Sequence, residues 1–157
     1  MYSITNCNEF FLAGKKEGTT AAISTIKHRT NYSKISISWL EYMSKTLGIP
    51  IQHIGNSEKK YYCTNTKRFL DGFGHDYVFQ FYGCYYHGCP KCTNATDIHP
   101  HKHVPYGLLC EQTLTKSAEL KKYYRPHNVF EIWECDWKQQ YELTQYDEDL
   151  SNLISRS

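Results

Sequence analysis

The spacing of apolar side chains along the chain predicts two amphipathic helices. Within residues 33–47 apolar side chains recur every three to four positions, which places them on one helical face, and Gly48 supplies an end signal. Residues 106–124 contain no proline, show a similar period, and are followed by Pro126, which cannot continue a helix. We therefore expect one helix in each of these segments.

Short runs rich in β-branched and aromatic residues predict strands between and after these helices. The runs lie at residues 51–54, 60–62, 68–73, 77–82 and 129–133. By contrast, residues 83–105 are rich in Cys, His, Pro and Asn and show no period, which is typical of a loop organised by a metal. A helix, several strands, a second helix and a further strand together predict a mixed α/β sandwich.

The length of the chain favours a single domain. A chain of 157 residues with 40% hydrophobic side chains can form one core and is short for two. Residues 1–30 have no sustained apolar period, so we expect an irregular N-terminal segment there. The domain itself is expected over residues 31–142. Residues 143–157 are polar and are expected to form a C-terminal helix from Thr144 or a tail.

Charge and hydropathy narrow the choice of partners. The net charge is only +2, so contact with nucleic acid would need a local basic patch rather than a basic tail. No run approaches the roughly 20 apolar residues of a membrane helix, and the first residues lack the order of a signal peptide. These features predict a soluble intracellular protein without a membrane partner. Seven cysteines, an odd number, favour metal binding in a reducing compartment over a disulfide framework.

Four cysteines are spaced as zinc ligands. They are Cys84, Cys89, Cys92 and Cys135. The first and the last follow predicted strands, and the middle two form a CxxC knuckle, so together they can close the tetrahedron that structural zinc prefers. A CxxC pair is also a redox motif, but that motif normally opens a helix, and the polar, His-rich residues after this knuckle fit a helix poorly. His87 is the replacement ligand if one cysteine is not bound.

A second group of possible metal ligands lies just beyond the knuckle. His99, His101 and His103 alternate along the chain and could bind a further metal ion. They lie in a segment with prolines and no period, where a solvated stretch is the more common outcome. We expect the solvated stretch.

Several phrases of the sequence together resemble a known family. They are Asn31-Tyr-Ser33, Ser38-Trp-Leu-Glu-Tyr42, Ile51-Gln-His53, Leu70-Asp-Gly72, Phe79-Gln-Phe-Tyr-Gly-Cys-Tyr-Tyr-His-Gly-Cys-Pro-Lys-Cys92 and Ile132-Trp-Glu-Cys-Asp-Trp137. They resemble the nuclease-like domain found with family B DNA polymerases of Polinton (Maverick) mobile elements and related large viruses. More distantly, part of the cysteine run and the Trp-Glu-Cys phrase resemble the bacterial very-short-patch mismatch repair endonuclease. Both have the PD-(D/E)xK restriction-endonuclease-like fold, so the resemblance implies a mixed sheet flanked by helices, with a structural zinc site.

The resemblance also implies where a catalytic metal would bind. Asp71 matches the first carboxylate of the family, which helps to hold Mg²⁺ or Mn²⁺ beside the phosphodiester bond. Gln80 takes the place of the second acid, usually Glu, and Tyr82 takes the place of the basic residue two positions later. A neutral amide binds Mg²⁺ more weakly than a carboxylate does. From the residues alone, Asp71 with Gly72 also fits a hairpin turn.

Two further residues gain catalytic roles from the resemblance. Glu41, on the first predicted helix, is a candidate third acid, although it also suits a solvated pair with Lys45 one turn on. His87 matches the histidine that helps to activate water in the short-patch repair enzyme, and an imidazole of near-neutral pKa suits that task. The alternative for His87 is support of the zinc site.

DNA contacts are implied by the same match. Tyr85 and Tyr86 fall where the repair enzyme carries an aromatic pair that wedges into the base stack, although one of them could instead pack in the core. Candidate phosphate contacts are Lys91, Lys102, Lys116, Lys121 and Lys122, each of which is also typical of a solvated surface.

Three functions follow from these observations. The leading one is a Mg²⁺- or Mn²⁺-dependent DNA endonuclease acting on mobile-element or viral DNA, in the nucleus or at a viral replication site, with a DNA polymerase as a partner. Because Gln80 replaces an acid, the alternative is a degenerate domain that binds a DNA structure or docks a protein without cutting DNA. The third is a zinc-organised protein interaction domain with no role on DNA.

Overall fold

The computed structural model describes residues 23–24, 33–56, 60–63 and 68–156. Its helices are α1 Lys34–Leu47, α2 Cys84–His87, α3 Tyr106–Tyr123 and α4 Glu134–Ser155, with a 3-10 turn at Pro126–Asn128. Its strands are β1 Ile23–Ser24, β2 Gln52–His53, β3 Lys60–Cys63, β4 Arg68–Phe69, β5 Gly72–Gly74, β6 Tyr77–Tyr82 and β7 Val129–Trp133. The predicted irregular segment 1–30 lies outside the described residues, apart from β1.

The strands form two sheets, of which the larger positions the site. A four-stranded mixed sheet has the order β2-β5-β6-β7, with β6 and β7 parallel and the other neighbours antiparallel. A three-stranded sheet has the order β1-β3-β4. Parallel neighbours need a long crossover, and here the connection carries α2, the cysteine-rich segment and α3. The parallel register sets Tyr82 beside Trp133, so the two chains leave the sheet at the same edge.

Helix α1 forms as its apolar period predicts. Trp39 and Leu40 are buried, and Gly48 ends the helix in the left-handed region at φ 65°, a conformation that glycine adopts without strain. The N–H groups of Gly48 and Ile49 donate to the last carbonyls of the helix, which satisfies groups that would otherwise lack partners. The predicted helix at residues 33–47 is therefore confirmed.

The hydrophobic core lies on one face of the four-stranded sheet, between that face and helices α1 and α4. Its buried residues are Trp39, Leu40, Ile51, Phe79, Phe81 and Trp137. Because side chains alternate along a strand, Phe79 and Phe81 face this core whereas Gln80 and Tyr82 point to the opposite face. There Tyr82 reaches Glu131 of β7, which is ion-paired with Lys121 of α3. The sheet is therefore apolar on one face, whereas the other combines these polar groups with buried Val78 and Val129.

Three predicted elements differ from the structure. The predicted strand at 68–73 is two strands in different sheets, because the chain bends at Asp71. The last helix begins at Glu134 rather than at Thr144, because Trp137 already packs one face of its first turns into the core. The segment 83–105, predicted as a loop, opens with the single helical turn α2.

The predicted helix at 106–124 and the predicted strands at 77–82 and 129–133 are confirmed within one residue. Helix α4 runs without a break through the expected boundary between residues 142 and 143. Within the described ranges, no helix is long and apolar enough to cross a membrane.

Candidate metal centre and the polar face of the sheet

The four predicted zinc ligands meet at one edge of the four-stranded sheet. Cys84 is the first residue of α2, directly after β6, and Cys135 lies in the first turn of α4, directly after β7. Because β6 and β7 are parallel, both residues emerge at the same edge, 51 residues apart in sequence. Cys89 and Cys92 form a tight turn, in which the Cys92 N–H donates to the Cys89 carbonyl oxygen over 3.1 Å.

The sulfur atoms fit a tetrahedral metal site. The four Sγ atoms all lie within 4.8 Å of one another, and the Cys89 and Cys135 Sγ atoms are 3.7 Å apart. Zinc–sulfur bonds of about 2.3 Å at tetrahedral angles place neighbouring sulfur atoms about 3.8 Å apart. The cluster can therefore hold a metal ion such as zinc with little rearrangement. All four positions are occupied by protein sulfur, which leaves no open position for chemistry on the ion.

The surroundings of the cysteines favour a thiolate at Cys89 and oppose one at Cys84 and Cys135. Burial raises the pKa of the Cys84 and Cys135 thiols. Burial also acts against ionisation of Cys89, but N–H groups of Lys91 and Cys92 together with the neighbouring thiols outweigh it, so the pKa of Cys89 is lowered. A thiolate pocket of this kind is unfavourable without a cation, because several negative charges would lie within a few ångströms of one another. A bound cation removes that repulsion, so metal binding and folding of the cluster are coupled.

Contacts with α4 fix the first ligand. The Cys84 N–H donates to Glu134 Oε2 over 3.2 Å, and the Cys135 N–H donates to Cys84 Sγ over 3.3 Å. Lys91, predicted to contact DNA phosphates, is ion-paired with Asp136, with Lys91 Nζ 2.6 Å from Asp136 Oδ1. This pair tethers the cysteine turn to the first turn of α4.

A glycine lets the cysteine turn pack closely on α3. Gly88 ends α2 in the left-handed region at φ 69°. A Cβ atom there would overlap the Tyr106 carbonyl oxygen and lie 2.9 Å from the Cys110 nitrogen. Only glycine meets both the conformational and the steric requirement.

Asp71 and Gln80 lie side by side, as their proposed shared role requires. The Asp71 N–H donates to Gln80 Oε1 over 3.0 Å, and the Phe81 N–H donates to Asp71 Oδ2 over 2.9 Å. Gln80 Nε2 also donates to the Phe69 carbonyl oxygen over 3.4 Å. Gln80 is thus bonded to backbone through both ends of its amide and holds the bend between β4 and β5. The alternative of a hairpin turn at Asp71 does not hold, because β4 and β5 belong to different sheets.

His87 is half-buried behind the cysteine turn. Its Nδ1 lies 3.1 Å from Thr113 Oγ1, and because Thr113 Oγ1 donates to the Leu109 carbonyl oxygen, His87 carries its proton on Nδ1. Its ring meets the edge of Tyr82 with centroids 5.3 Å apart. Burial, together with the charges of Lys102 and Lys116, lowers the pKa of His87 to about 4, so its imidazole is neutral at pH 7.

Glu41, the candidate third acid, is exposed on α1. Its charge acts on His53, where burial lowers the pKa and Glu41 partly offsets that effect. His53 in turn pairs with Gly72, the residue after Asp71. Glu41 therefore lies near His53 of β2, the strand that pairs with β5.

The predicted aromatic pair is on the surface. Tyr85 and Tyr86 are 39% and 58% exposed, and their rings meet at 87° with centroids 5.1 Å apart. Beneath them lies the fully buried ring of His99, 4.5 Å from Tyr85 between centroids. Its Nδ1 accepts from the N–H groups of His101 and Lys102, both over 3.1 Å. His99 therefore supports the aromatic pair and orders the following turn.

Sequence reasoning missed a polar cluster on the sheet. The Tyr82 hydroxyl donates to Glu131 Oε1 over 2.6 Å, and Lys121 Nζ lies 2.7 Å from Glu131 Oε2. Burial raises the pKa of Tyr82, and the bond to Glu131 raises it further. Tyr82 and Glu131 line a cleft of about 250 Å³, together with Ser117 and Trp133. The sequence signal for this cluster was Glu131, a charged residue in the middle of the otherwise apolar run at 129–133.

Metal ligands do not gather a second time in the described part of the chain. Among the described residues, one group of three or more His, Cys, Asp or Glu side chains brings its ligand atoms together, and it is the four cysteines. His101 and His103 are exposed and His99 is turned inward, in agreement with a solvated stretch for the former two. The Asp71 neighbourhood offers one carboxylate beside an amide that is already bonded, which fits Mg²⁺ or Mn²⁺ poorly.

Comparison with known proteins gives no further guide. No protein family matches this chain, and neither a curated protein nor a solved structure does.

Proposed function

We propose that this chain is a zinc-organised, DNA-binding domain of the restriction-endonuclease-like type, in which Gln80 limits hydrolysis. The exposed aromatic pair carries the proposal. Tyr85 and Tyr86 lie on the single turn between two cysteine ligands, Cys84 and Cys89, so a bound zinc ion would hold them at a fixed height above the sheet edge. The attached DNA polymerase and the mobile-element or viral setting belong to the proposal through the sequence resemblance alone.

Exposed tyrosine rings beside a cation suit stacking on nucleobases. Stacking of a base on an aromatic side chain contributes roughly 1–3 kcal/mol, and insertion of a side chain into a duplex also requires unstacking of a base step. Lys102 Nζ donates to the Tyr86 carbonyl oxygen over 2.8 Å, which sets a positive charge next to the rings. The turn therefore combines a stacking surface with a group that can contact a phosphate.

The geometry at Asp71 supports binding better than cutting. A divalent ion in a nuclease site positions the attacking water and offsets charge on the phosphate. Such an ion needs several carboxylate oxygens, whereas Asp71 accepts from the Phe81 N–H and the neighbouring Gln80 oxygen accepts from the Asp71 N–H. Gln80 is thereby suited to hold the bend and unsuited to share a cation.

A second candidate function, the active Mg²⁺- or Mn²⁺-dependent endonuclease, is favoured by His87. Thr113 holds the proton of His87 on Nδ1, which leaves Nε2 as the acceptor of a neutral imidazole. A group in that state can accept a proton, but its pKa of about 4 makes it a weaker base than the near-neutral imidazole that the resemblance implies. In this second candidate Asp71, Gln80 and Glu41 act as ligands, His87 as the base, and Tyr85, Tyr86 and Lys91 contact DNA.

Binding and cutting measured separately distinguish the two candidates. We expect the native protein, with stoichiometric zinc, to bind branched, mismatched or single-stranded DNA in a salt-sensitive way and to give no cleavage product with Mg²⁺ or Mn²⁺. The variant Tyr86→Ala should weaken binding by about tenfold, from the loss of one stacked base. Tyr123→Ala, in the last turn of α3, is the matched control.

The variant Gln80→Glu tests the catalytic part. With Mg²⁺ or Mn²⁺ we expect it to cut DNA that the native protein only binds, and Asp71→Asn added to it should abolish the product. Cleavage by the native protein would establish the second candidate. Absence of DNA binding at low salt, with zinc content intact, would contradict both and favour a protein interaction domain.

A further inference from the structure

The basic side chains near α3 differ in how they are paired. Lys91, Lys121 and Lys138 each lie 2.6 or 2.7 Å from a carboxylate oxygen. Arg68 is only loosely paired, with 3.5 Å between its terminal nitrogen and Glu119 Oε2. Lys116 makes no ion pair with any carboxylate in the described ranges. Arg68 and Lys116 therefore both retain positive charge that a ligand could meet.

Arg68 and Lys116 line one cleft. It measures about 390 Å³ and lies between β4 and the outer face of α3, with the lining residues Arg68, Leu108, Glu111, Gln112, Thr115 and Lys116. Arg68 Nε is buried and has no hydrogen-bond partner in the described structure. A buried donor without an acceptor is costly, and the Arg68 side chain as a whole is 32% exposed, so its terminal guanidinium nitrogens remain available to an oxygen-bearing ligand.

The surroundings of Lys116 favour an anion. Burial lowers the pKa of Lys116, the charges of Arg68 and Lys102 lower it further, and Glu119 offsets only part of this. Arg68 and Lys102 are thus each close enough to Lys116 to repel its ammonium group. An anion held between them would relieve the repulsion.

Lys102 and helix α3 link the cleft to the aromatic pair. The ring centroids of Tyr85 and Tyr106 lie 6.2 Å apart, and Tyr106 is in the first turn of α3. Leu108, two residues further along this helix, lines the cleft. Lys102 connects the two places, because its Nζ binds the Tyr86 carbonyl oxygen and its charge acts on Lys116. A strand stacked on the tyrosines would therefore run along α3 toward Arg68.

We infer that the cleft between Arg68 and Lys116 is a binding site for a backbone phosphate of DNA, one or two nucleotides from the base that stacks on Tyr85 and Tyr86. This inference rests on the proposed function and changes its predicted contacts. Arg68, which the sequence did not suggest, binds the phosphate with Lys116, whereas Lys91 and Lys121 are occupied by carboxylates. The guanidinium of Arg68 can donate two hydrogen bonds to one phosphate.

Salt titrations of DNA affinity test the site. Binding of a labelled oligonucleotide to the full chain with zinc is measured by fluorescence anisotropy over a range of salt concentrations. The slope of log affinity against log salt is negative, and each lost phosphate contact lowers its magnitude by about 0.7–0.9. Slopes are compared below by this magnitude. We expect Lys116→Gln and Arg68→Gln each to lower the slope by that amount and the affinity by about tenfold. Lys116→Arg, which keeps the charge, should retain the native slope.

Lys138→Gln is the matched control, since it makes the same chemical change at a lysine with a close carboxylate partner. Its slope should equal that of the native protein. Folding of the variants is checked by urea denaturation, and Gln at position 116 should be tolerated because the ammonium there is disfavoured by burial and by its neighbours.

The outcomes separate the inference from the proposed function. If the native protein binds DNA and the Arg68 and Lys116 variants keep its slope, the phosphate site is wrong and the DNA-binding domain stands. If Lys138→Gln lowers the slope as much as Lys116→Gln does, the cleft has no special role and the inference is overturned. If the native protein binds no DNA at low salt, both are overturned.

Discussion

Two adjoining regions of this protein are held together in different ways. Around Phe79, large side chains from α1, β6 and α4 pack into a closed apolar core. Across residues 83–105 the buried positions are Cys84, Gly88, Cys89 and His99, and order comes from backbone hydrogen bonds and from the four-thiol cluster. The core can fold by burial alone, whereas the cysteine segment depends on a ligand. The difference teaches that stability and DNA handling can be disrupted separately in this domain.

Metal removal gives the sharpest contrast between the regions. Structural zinc contributes roughly 10–16 kcal/mol in isolated zinc-finger peptides, and here that stabilisation falls mainly on one segment. A chelator, or Cys89→Ser, should abolish amide protection across residues 84–105 and DNA binding with it, while β6 remains protected. Hydrogen exchange read by mass spectrometry checks this. Cys110→Ser, outside the cluster, is the control, and equal loss of protection in β6 would show that the regions fold as one.

Truncation in the core should affect both regions. Phe79 is fully buried between Trp39 and Phe130, so Phe79→Ala should lower the free energy of unfolding by about 3–5 kcal/mol. Urea denaturation of the zinc-bound protein, followed by tryptophan fluorescence, measures it. Phe69→Ala, at a 37% exposed position, should cost less than about 1 kcal/mol. Similar costs for the two variants would mean that the core is not packed as described.

Two glycines of similar conformation sharpen the contrast. Gly48 and Gly88 have φ values of 65° and 69°, but open space surrounds Gly48 whereas Gly88 abuts α3. Gly48→Ala should cost about 1 kcal/mol from backbone conformation alone, and Gly88→Ala about 2 kcal/mol or more, with weaker zinc retention. Competition with a zinc chelator measures retention. Equal retention by the two variants would contradict the close packing of the cysteine turn on α3.

The polar face predicts a small effect of pH. Burial works against ionisation of Glu131, yet its bonds to Lys121, Ser117 and Tyr82 outweigh burial and lower its pKa. A lowered folded-state pKa stabilises the fold above the unfolded value of about 4.3, and this stabilisation is lost as pH falls through the folded value. Glu131→Gln should remove it, at a cost of about 1 kcal/mol near neutrality, since Lys121 is partly exposed.

Stability measured from neutral to acidic pH for native and Glu131→Gln proteins tests this pH effect. Metal loss at low pH affects both proteins alike, so only the difference between them counts. That difference should shrink as pH falls below the unfolded pKa of Glu131. A difference that stays constant with pH would show that Glu131 does not titrate as described.

Local patterns predicted the regular elements and the cysteine cluster. The period of α1 and the strand character of β6 and β7 each reflect burial of one face, which the sequence records directly. The four cysteines of the candidate metal site were predictable because the site requires only that two strand ends and one CxxC turn lie next to one another. Which strands are adjacent was not predictable from local patterns, so the parallel pairing and the split at Asp71 were missed. Predictions for Asp71, Gln80, Glu41 and His87 as a catalytic group stay predictions.

Pairing between distant residues explains what else was missed. The sequence shows Lys91 as a cation but does not show that Asp136, 45 residues later, lies beside it. Arg68 drew no attention in a short, exposed strand, and its value to a ligand depends on Lys116 across the cleft. Charge in a sequence shows how many cations exist, whereas only the fold shows which of them are already neutralised.

An ion bound between the ends of β6 and β7 would also act on folding kinetics. It would join Cys84 to Cys135, two points 51 residues apart, and closing a segment of that length costs about 3.5 kcal/mol of chain entropy. A slip of the parallel pair by one residue would move Cys135 by about 3.3 Å and exchange the two faces of β7. Tetrahedral coordination would not tolerate that displacement, so the ion would bind and stabilise only intermediates in which β6 and β7 have the native register. Refolding should accordingly be faster and more uniform when zinc is present from the start.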